Sequence, residues 1–181
     1  MTALGAATAS STDEISAGLE KFASVAQSIG LSYDYAAASL ATVTATTRQS
    51  ADVVGTAFKT LFSRIQGLKL GETLEDGTDL NKYSAALQAV GVSIKDENGE
   101  LRDMDVILDD LGEKWNLLAR DQKVALAQTV AGVRQYNQMM ALMENWDFFQ
   151  ENLLVARGSE GELTRQAQVF GDSWEAARKR V

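Results

Sequence analysis

Apolar side chains recur three and four residues apart along nearly the whole chain, and not one of its 181 residues is proline. A three-and-four repeat lays apolar groups on one stripe of a helix, and a strand would need alternation instead. Without proline, the breaks between helices fall to Gly, Asn, Asp and Ser. The first stripe is Ile15, Leu19, Phe22, Ala26 and Ile29. It predicts a helix from near Ser11, with Ser11 and Glu14 as a capping box and Gly30 at the C-terminal glycine position. A second helix is expected from about Ser32 into the Thr-rich stretch Thr42 to Thr47, where β-branched residues weaken it and leave its end open.

Ser50 is expected to cap a third helix with the stripe Val54, Phe58, Leu61, Ile65 and Leu68, stopped by Gly67 or Gly71. From Lys69 to Thr78 the text is rich in Gly and acid and lacks periodicity, which predicts an exposed loop. A helix from Asp79 through Leu80, Tyr83, Leu87 and Val90 then ends at Gly91. Strand grammar appears once: Val92 and Ile94 alternate with polar residues, Asn98-Gly99 is a tight-turn pair, and Leu101 follows, so a small hairpin or extended turn is expected near 92–102. Asp103 reads as an N-cap for Met104, Leu108, Leu111, Trp115 and Leu118, and Asp121 as the start of a short helix that meets Gly132. One long helix is expected to carry Tyr136, Met139, Leu142, Trp146, Phe149 and Leu153, interrupted by Gly158 and Gly161. The last helix, Leu163 to Val181, keeps a seven-residue repeat with no stop signal, which reads as a chain cut from something longer.

Stripes of this kind must be buried against one another. The expected fold is therefore all-α, an irregular multi-helix bundle over residues 1–181 as a single helical region, with 69–78 the best candidate for a weak subdivision.

The residues that carry most chemistry are missing. The sequence has no His and no Cys, which removes imidazole bases, thiol nucleophiles, disulfides and most transition-metal sites. No cofactor and no metal are expected. A net charge of −8 argues against direct nucleic-acid or anionic-membrane contact, which needs clustered Lys and Arg. The one dense basic run, Arg178-Lys179-Arg180, is read as complementing a helix C-terminus. No stretch is apolar for the ~20 residues that span a bilayer. Two carboxylates would suffice for a glycosidase, but Asp109-Asp110, Glu72 with Glu75, and Glu160 with Glu162 read as solvated surface. Asp96 to Glu100 lacks the twelve-residue spacing of a calcium loop. The expectation is a protein that is not an enzyme, with a cell-wall hydrolase accessory or a secreted helical adaptor as the alternatives.

Two features point to contacts. Met139, Met140 and Met143 with Trp146, Phe148 and Phe149 form a strip that is core at helical spacing, although the adjacent pair Phe148-Phe149 cannot both face one side, so part of it is expected to touch neighbouring copies. Gly132, Arg134 and Gln135 fall at a helix junction, where Gly allows close approach and Arg can hold a neighbouring helix by a salt bridge or meet a partner.

The stretch from Val90 to Asp147, VGVSIKDENGELRDMDVILDDLGEKWNLLARDQKVALAQTVAGVRQYNQMMALMENWD, resembles the bacteriophage tail tape measure proteins of the TP901 type. Its landmarks are Gly91, Arg102, Trp115, Gly132, Arg134, Gln135, Met143 and Trp146. Upstream, TATTRQSADVVGTAFKTLFSRIQGLKLGE looks like the same family, with Gly55, Lys59, Phe62, Arg64 and Gln66 in order. The resemblance implies a fragment of a long virion structural protein that fills the tail lumen, templates tail length while the tube assembles in the host cytoplasm, and leaves at genome ejection. The partners it implies are other copies of the chain and tail-tube and distal-tail proteins.

Overall fold

A computed structural model describes residues 12–158. The expected Ser11 cap and the expected helix over Leu163 to Val181 lie outside the described residues. Eight α-helices follow in order: α1 Thr12–Ser28, α2 Tyr33–Thr47, α3 Ala51–Lys69, α4 Leu80–Gln88, α5 Met104–Lys114, α6 Arg120–Ala131, α7 Tyr136–Glu144 and α8 Trp146–Gly158, with a 3₁₀ turn at Trp115–Leu117. The all-α bundle expected from the periodicity is the fold, and one apolar core runs through all eight helices.

Local caps set most boundaries. Ser32, Ser50 and Asp79 accept the backbone N–H of Tyr35, Val53 and Lys82 respectively, each satisfying a donor that the first turn leaves free. At the end of α1, Leu31 N–H donates to Ala26 O and Gly30 N–H to Gln27 O while Gly30 takes φ +81°, the paired bonds of a Schellman stop. The Thr-rich part of α2 is helical to its end, with the hydroxyls of Thr42, Thr46 and Thr47 satisfied by carbonyls four residues back. That helix ends where Arg48 turns left-handed at φ 58°. Gly67 lies inside α3, and Gly71 at φ +85° follows its end.

Asp103 departs from expectation. It holds the N-cap position, but its side chain makes no capping bond. Instead Met104 N–H donates to Ile29 O at 2.9 Å and Asp105 N–H to Gly30 O at 3.4 Å. The carbonyl end of α1 thus satisfies the amide end of α5, opposite poles of two helix dipoles meeting directly. Lys69 Nζ donates into the same junction, to Ile29 O at 3.3 Å and Arg102 O at 3.2 Å.

Between α4 and α5 the expected hairpin is reduced to one antiparallel bridge, Lys95 with Leu101. Gly99 N–H donates to Asp96 O, and between the bridged residues Lys95 and Leu101 Gly99 alone takes positive φ, +80°. This is the longer loop with glycine in the bulge position, not the two-residue turn that Asn98-Gly99 suggests, because Asp96 carboxylate holds the amides of Asn98 and Glu100.

The single long helix expected after Gly132 is two. Asn145 breaks it at φ −112°, ψ 36°, and its Nδ2 donates to Ala141 O at 2.7 Å, the carbonyl that a continuing helix would give to its own backbone. The break lets α7 lie on α6 while α8 crosses onto α2.

The tightest packing is α1 against α3. A Cβ on Gly55 would sit 2.5 Å from Gly18 O, and one on Gly18 would sit 2.7 Å from Ala51 O, so the two backbones are in contact there. One turn further along, Phe22, Phe58 and Phe62 pack with centroids 5.4–5.9 Å apart.

Candidate functional site

The sequence-predicted residues fall into three groups. Gly91 and Arg102 bracket the extended turn. Gly91 takes φ +83° and its carbonyl accepts Lys114 Nζ. Arg102 donates to Ser93 O at 2.8 Å and pairs with Asp110 at 2.7 Å, so it locks the turn onto α5. Both residues shape the fold locally.

Trp115, Met143 and Trp146 are core, with 0%, 1% and 6% exposure. The indole of Trp146 lies against Gly112, where no Cβ could fit, and meets Phe149 in a tilted pair with 4.6 Å between centroids. Of the Met and aromatic strip, Met139 and Phe149 are buried as well, while Phe148 keeps a half-exposed edge. That edge, with Asn116, Met143 and Trp146, lines a shallow groove of about 230 Å³ beside the 3₁₀ turn.

Gly132, Arg134 and Gln135 do come together, at the bend between α6 and α7, and they line an open groove of about 490 Å³ with Thr60, Ser63 and Arg64 of α3. Gly132 is required by its φ of +82°; a Cβ there would stay 3.5 Å or more from Arg64, so close approach is not the reason. The inter-helix role expected of Arg134 belongs to Arg64. Its guanidinium donates to Thr129 O at 3.0 Å, to Thr78 Oγ1 at 3.1 Å and to Asp76 at 2.7 Å, tying α3, the 70–79 loop and the last turn of α6 into one wall. Arg134 is exposed and makes no ion pair or hydrogen bond among the described residues, beside Val133, which is 71% exposed. Gln135 takes the N-cap position of α7 through its backbone, with no side-chain cap bond.

Electrostatics in this wall follow from the geometry. Asp76 is held down at about 2 by the Thr78 backbone N–H first, then by Arg64 and the Thr78 hydroxyl. Between α2 and α5, Tyr35 Oη donates to Asp109 at 3.0 Å. Asp109 keeps an exposed edge, yet the atoms crowded round its carboxyl raise it above the usual carboxylate range, as they do for Asp34 and Asp105. Desolvation is the leading cause in all three. Arg157 of α8 opposes the rise at each. Among the described residues, no group of three His, Cys, Asp or Glu is placed to hold a metal ion. No helix there is long and apolar enough to cross a membrane.

What the arrangement offers is surface: two grooves and a set of locked inter-helix junctions. A family model described as phage-related minor tail protein matches residues 1–132, which take in α1 to α6. The chain belongs to this family. A minor tail protein is a structural part of a phage particle, in keeping with a bundle whose named residues hold helices to one another. No solved structure matches the chain.

Several residues that position these surfaces were not singled out by sequence. Gly18 and Gly112 sit in helices and could have been flagged as glycines kept despite their helix cost of about 1 kcal/mol. Asn145 carries the signal of a side chain that competes for helix carbonyls. Lys69 gives no local sign of its role, because its partners lie 33 and 40 residues away.

Proposed function

We propose that this minor tail protein segment is part of a tape measure protein: a helical unit that sits in the tail lumen, helps to template tail length during tube assembly in the host cytoplasm, and leaves at genome ejection. It acts by shape and catalyses nothing. The support is the family match over residues 1–132, joined to the tape-measure-like character of two stretches that pack on each other. Arg64 from the upstream stretch and Thr129 from the downstream one are directly bonded. We treat residues 1–181 as one helical region, with the groove at Arg64, Gly132 and Arg134 as a face toward tail-tube or distal-tail proteins.

Deleting residues 12–158 in frame from the parent gene and measuring tails by electron microscopy tests the reading. An opened helix shortens the tail by about 1.5 Å per residue removed, and a unit that stays folded back shortens it by a fraction of that. Tails of unchanged length, or virions lacking the chain altogether, overturn the proposal.

A further inference from the structure

An acid or amide side chain is followed directly by glycine at Asp76-Gly77 and at Asn98-Gly99, where glycine follows an Asp or Asn nowhere else in the sequence. Such a pair carries a latent reaction, because glycine has no side chain to shield its backbone nitrogen from the Cγ carbon of the residue before it. The two pairs sit in very different surroundings. At Asp76 both carboxylate oxygens are engaged, one by Arg64 at 2.7 Å and the other by the Thr78 N–H at 3.0 Å. Held at about 2, that carboxyl stays an anion, which a nucleophile attacks poorly. At Asn98 the side chain is a neutral amide, exposed and without a hydrogen bond among the described residues. A Cβ built on Gly99 would meet nothing within 4 Å, so the space beside the attacking nitrogen is open.

One residue restrains the reaction. Gly99 N–H donates to Asp96 O at 3.1 Å, and the Asp96 carboxylate accepts the amides of Asn98 at 2.9 Å and Glu100 at 3.0 Å. Asp96 thus fixes the backbone on both sides of the reacting bond. The turn from Lys95 to Glu100 is exposed throughout and closed by a single bridge, Lys95 with Leu101, so it belongs to the part of the molecule that opens at small cost.

We propose that Asn98 is a site of spontaneous covalent modification, where the Gly99 nitrogen closes on the Asn98 side chain whenever the turn leaves Asp96, and that Asp96 holds the rate down. A bond forms from Gly99 N to Asn98 Cγ as the bond from Cγ to the side-chain nitrogen breaks. The Gly99 amide proton goes to that nitrogen, which departs as ammonia. Water then opens the cyclic imide at either carbonyl, leaving aspartate or isoaspartate at position 98. Both products add a negative charge beside Asp96, Glu97 and Glu100, and isoaspartate lengthens the backbone inside the span closed by Asp96 N–H to Glu100 O at 2.8 Å. Older molecules therefore differ from fresh ones at the turn that leads into α5. Nothing in this chemistry depends on the length-templating role.

The test is incubation of the full folded chain in warm, mildly alkaline buffer, then digestion in acid and mass spectrometry with fragmentation that tells isoaspartate from aspartate. Circular dichroism before and after serves as the control for folding. Aspartate and isoaspartate accumulate at 98, while Asp76 stays unchanged. Asp96→Ala leaves the spectrum in place and speeds the change about tenfold, the scale of losing hydrogen bonds to a charged acceptor. Asp96→Asn, which keeps an acceptor oxygen, stays within about threefold of the parent. An amide that survives at 98, an Asp76 that isomerises as fast as Asn98 changes, or equal rates in the parent and Asp96→Ala overturns the proposal.

Discussion

Two of the helix pairs in the bundle, α1 with α3 and α2 with α8, are held in register by different means. Where α1 crosses α3, two glycines bring backbone against backbone and three phenylalanines fill the space alongside. Where α2 meets α8, Tyr35 lies against Phe149 with ring centroids 4.8 Å apart, and α2 itself is rich in fully buried alanine, at Ala36, Ala37, Ala38 and Ala41. A buried hydrogen bond, Asn152 Nδ2 to Thr42 Oγ1 at 2.9 Å, crosses it. The first pair is fixed by sterics, because any displacement either opens a void or drives atoms together. The second has no such backbone contact among the described residues, and a buried polar bond that is satisfied in one register adds specificity to it.

The largest test of that contrast is Phe22→Ala, which removes the ring shared by Phe58 and Phe62. It should cost about 3–5 kcal/mol by urea unfolding; a loss under about 1 kcal/mol would show that the crossing can collapse around the gap. Gly55→Val should come next, at about 3 kcal/mol or more, because the Gly18 carbonyl that its Cβ meets is backbone and cannot step aside. Equal stability of Gly55→Val and the parent would break the steric account of this pair.

On the α2/α8 side the expected effect is smaller. Asn152→Ala should cost about 1–2 kcal/mol, and in the Thr42→Val background most of that cost should vanish. Additive losses would mean that the bond does not set the register. Smallest are the two carboxylates with opposite displacements. Asp76 sits at about 2 when folded, below its unfolded value, so its contribution is present above about pH 4 and lost as pH falls through 2. Asp76→Asn should flatten the acid limb of a stability–pH curve there, by little, since the pair with Arg64 faces solvent. Asp109 is raised when folded, so its ionisation opposes folding and stability drops as pH rises through its folded value. Asp109→Asn, which keeps an acceptor for Tyr35, should gain slightly at pH 7; a loss there would place the anion in a favourable role.

Legibility followed the range of the interaction. Ser32, Ser50, Asp79, Gly30 and Gly91 act within five residues of where they stand, and spacing alone located them. Asp103 failed as a cap because the carbonyls of Ile29 and Gly30 reached the same amides from more than seventy residues away. Of the two roles expected for Arg134, an inter-helix tie or a partner contact, the first is performed by Arg64: both are arginines in tape-measure-like stretches, and nothing local tells which one the folded chain aims at Thr129 O. The strip from Met139 to Phe149 reads as one helix because its apolar period runs unbroken across Asn145, a side chain whose competition for Ala141 O outweighs the pattern.

The sequence by itself determined that this chain is helical, that its stripes bury against each other, and that it lacks the side chains of most catalysis; period, caps and composition are local quantities. Tertiary structure decided which stripe meets which, where glycine lets two backbones touch, and which arginine ties α3 to the last turn of α6. Those are matters of closure between distant segments, and the free energy that selects them resides in contacts no window of the sequence contains.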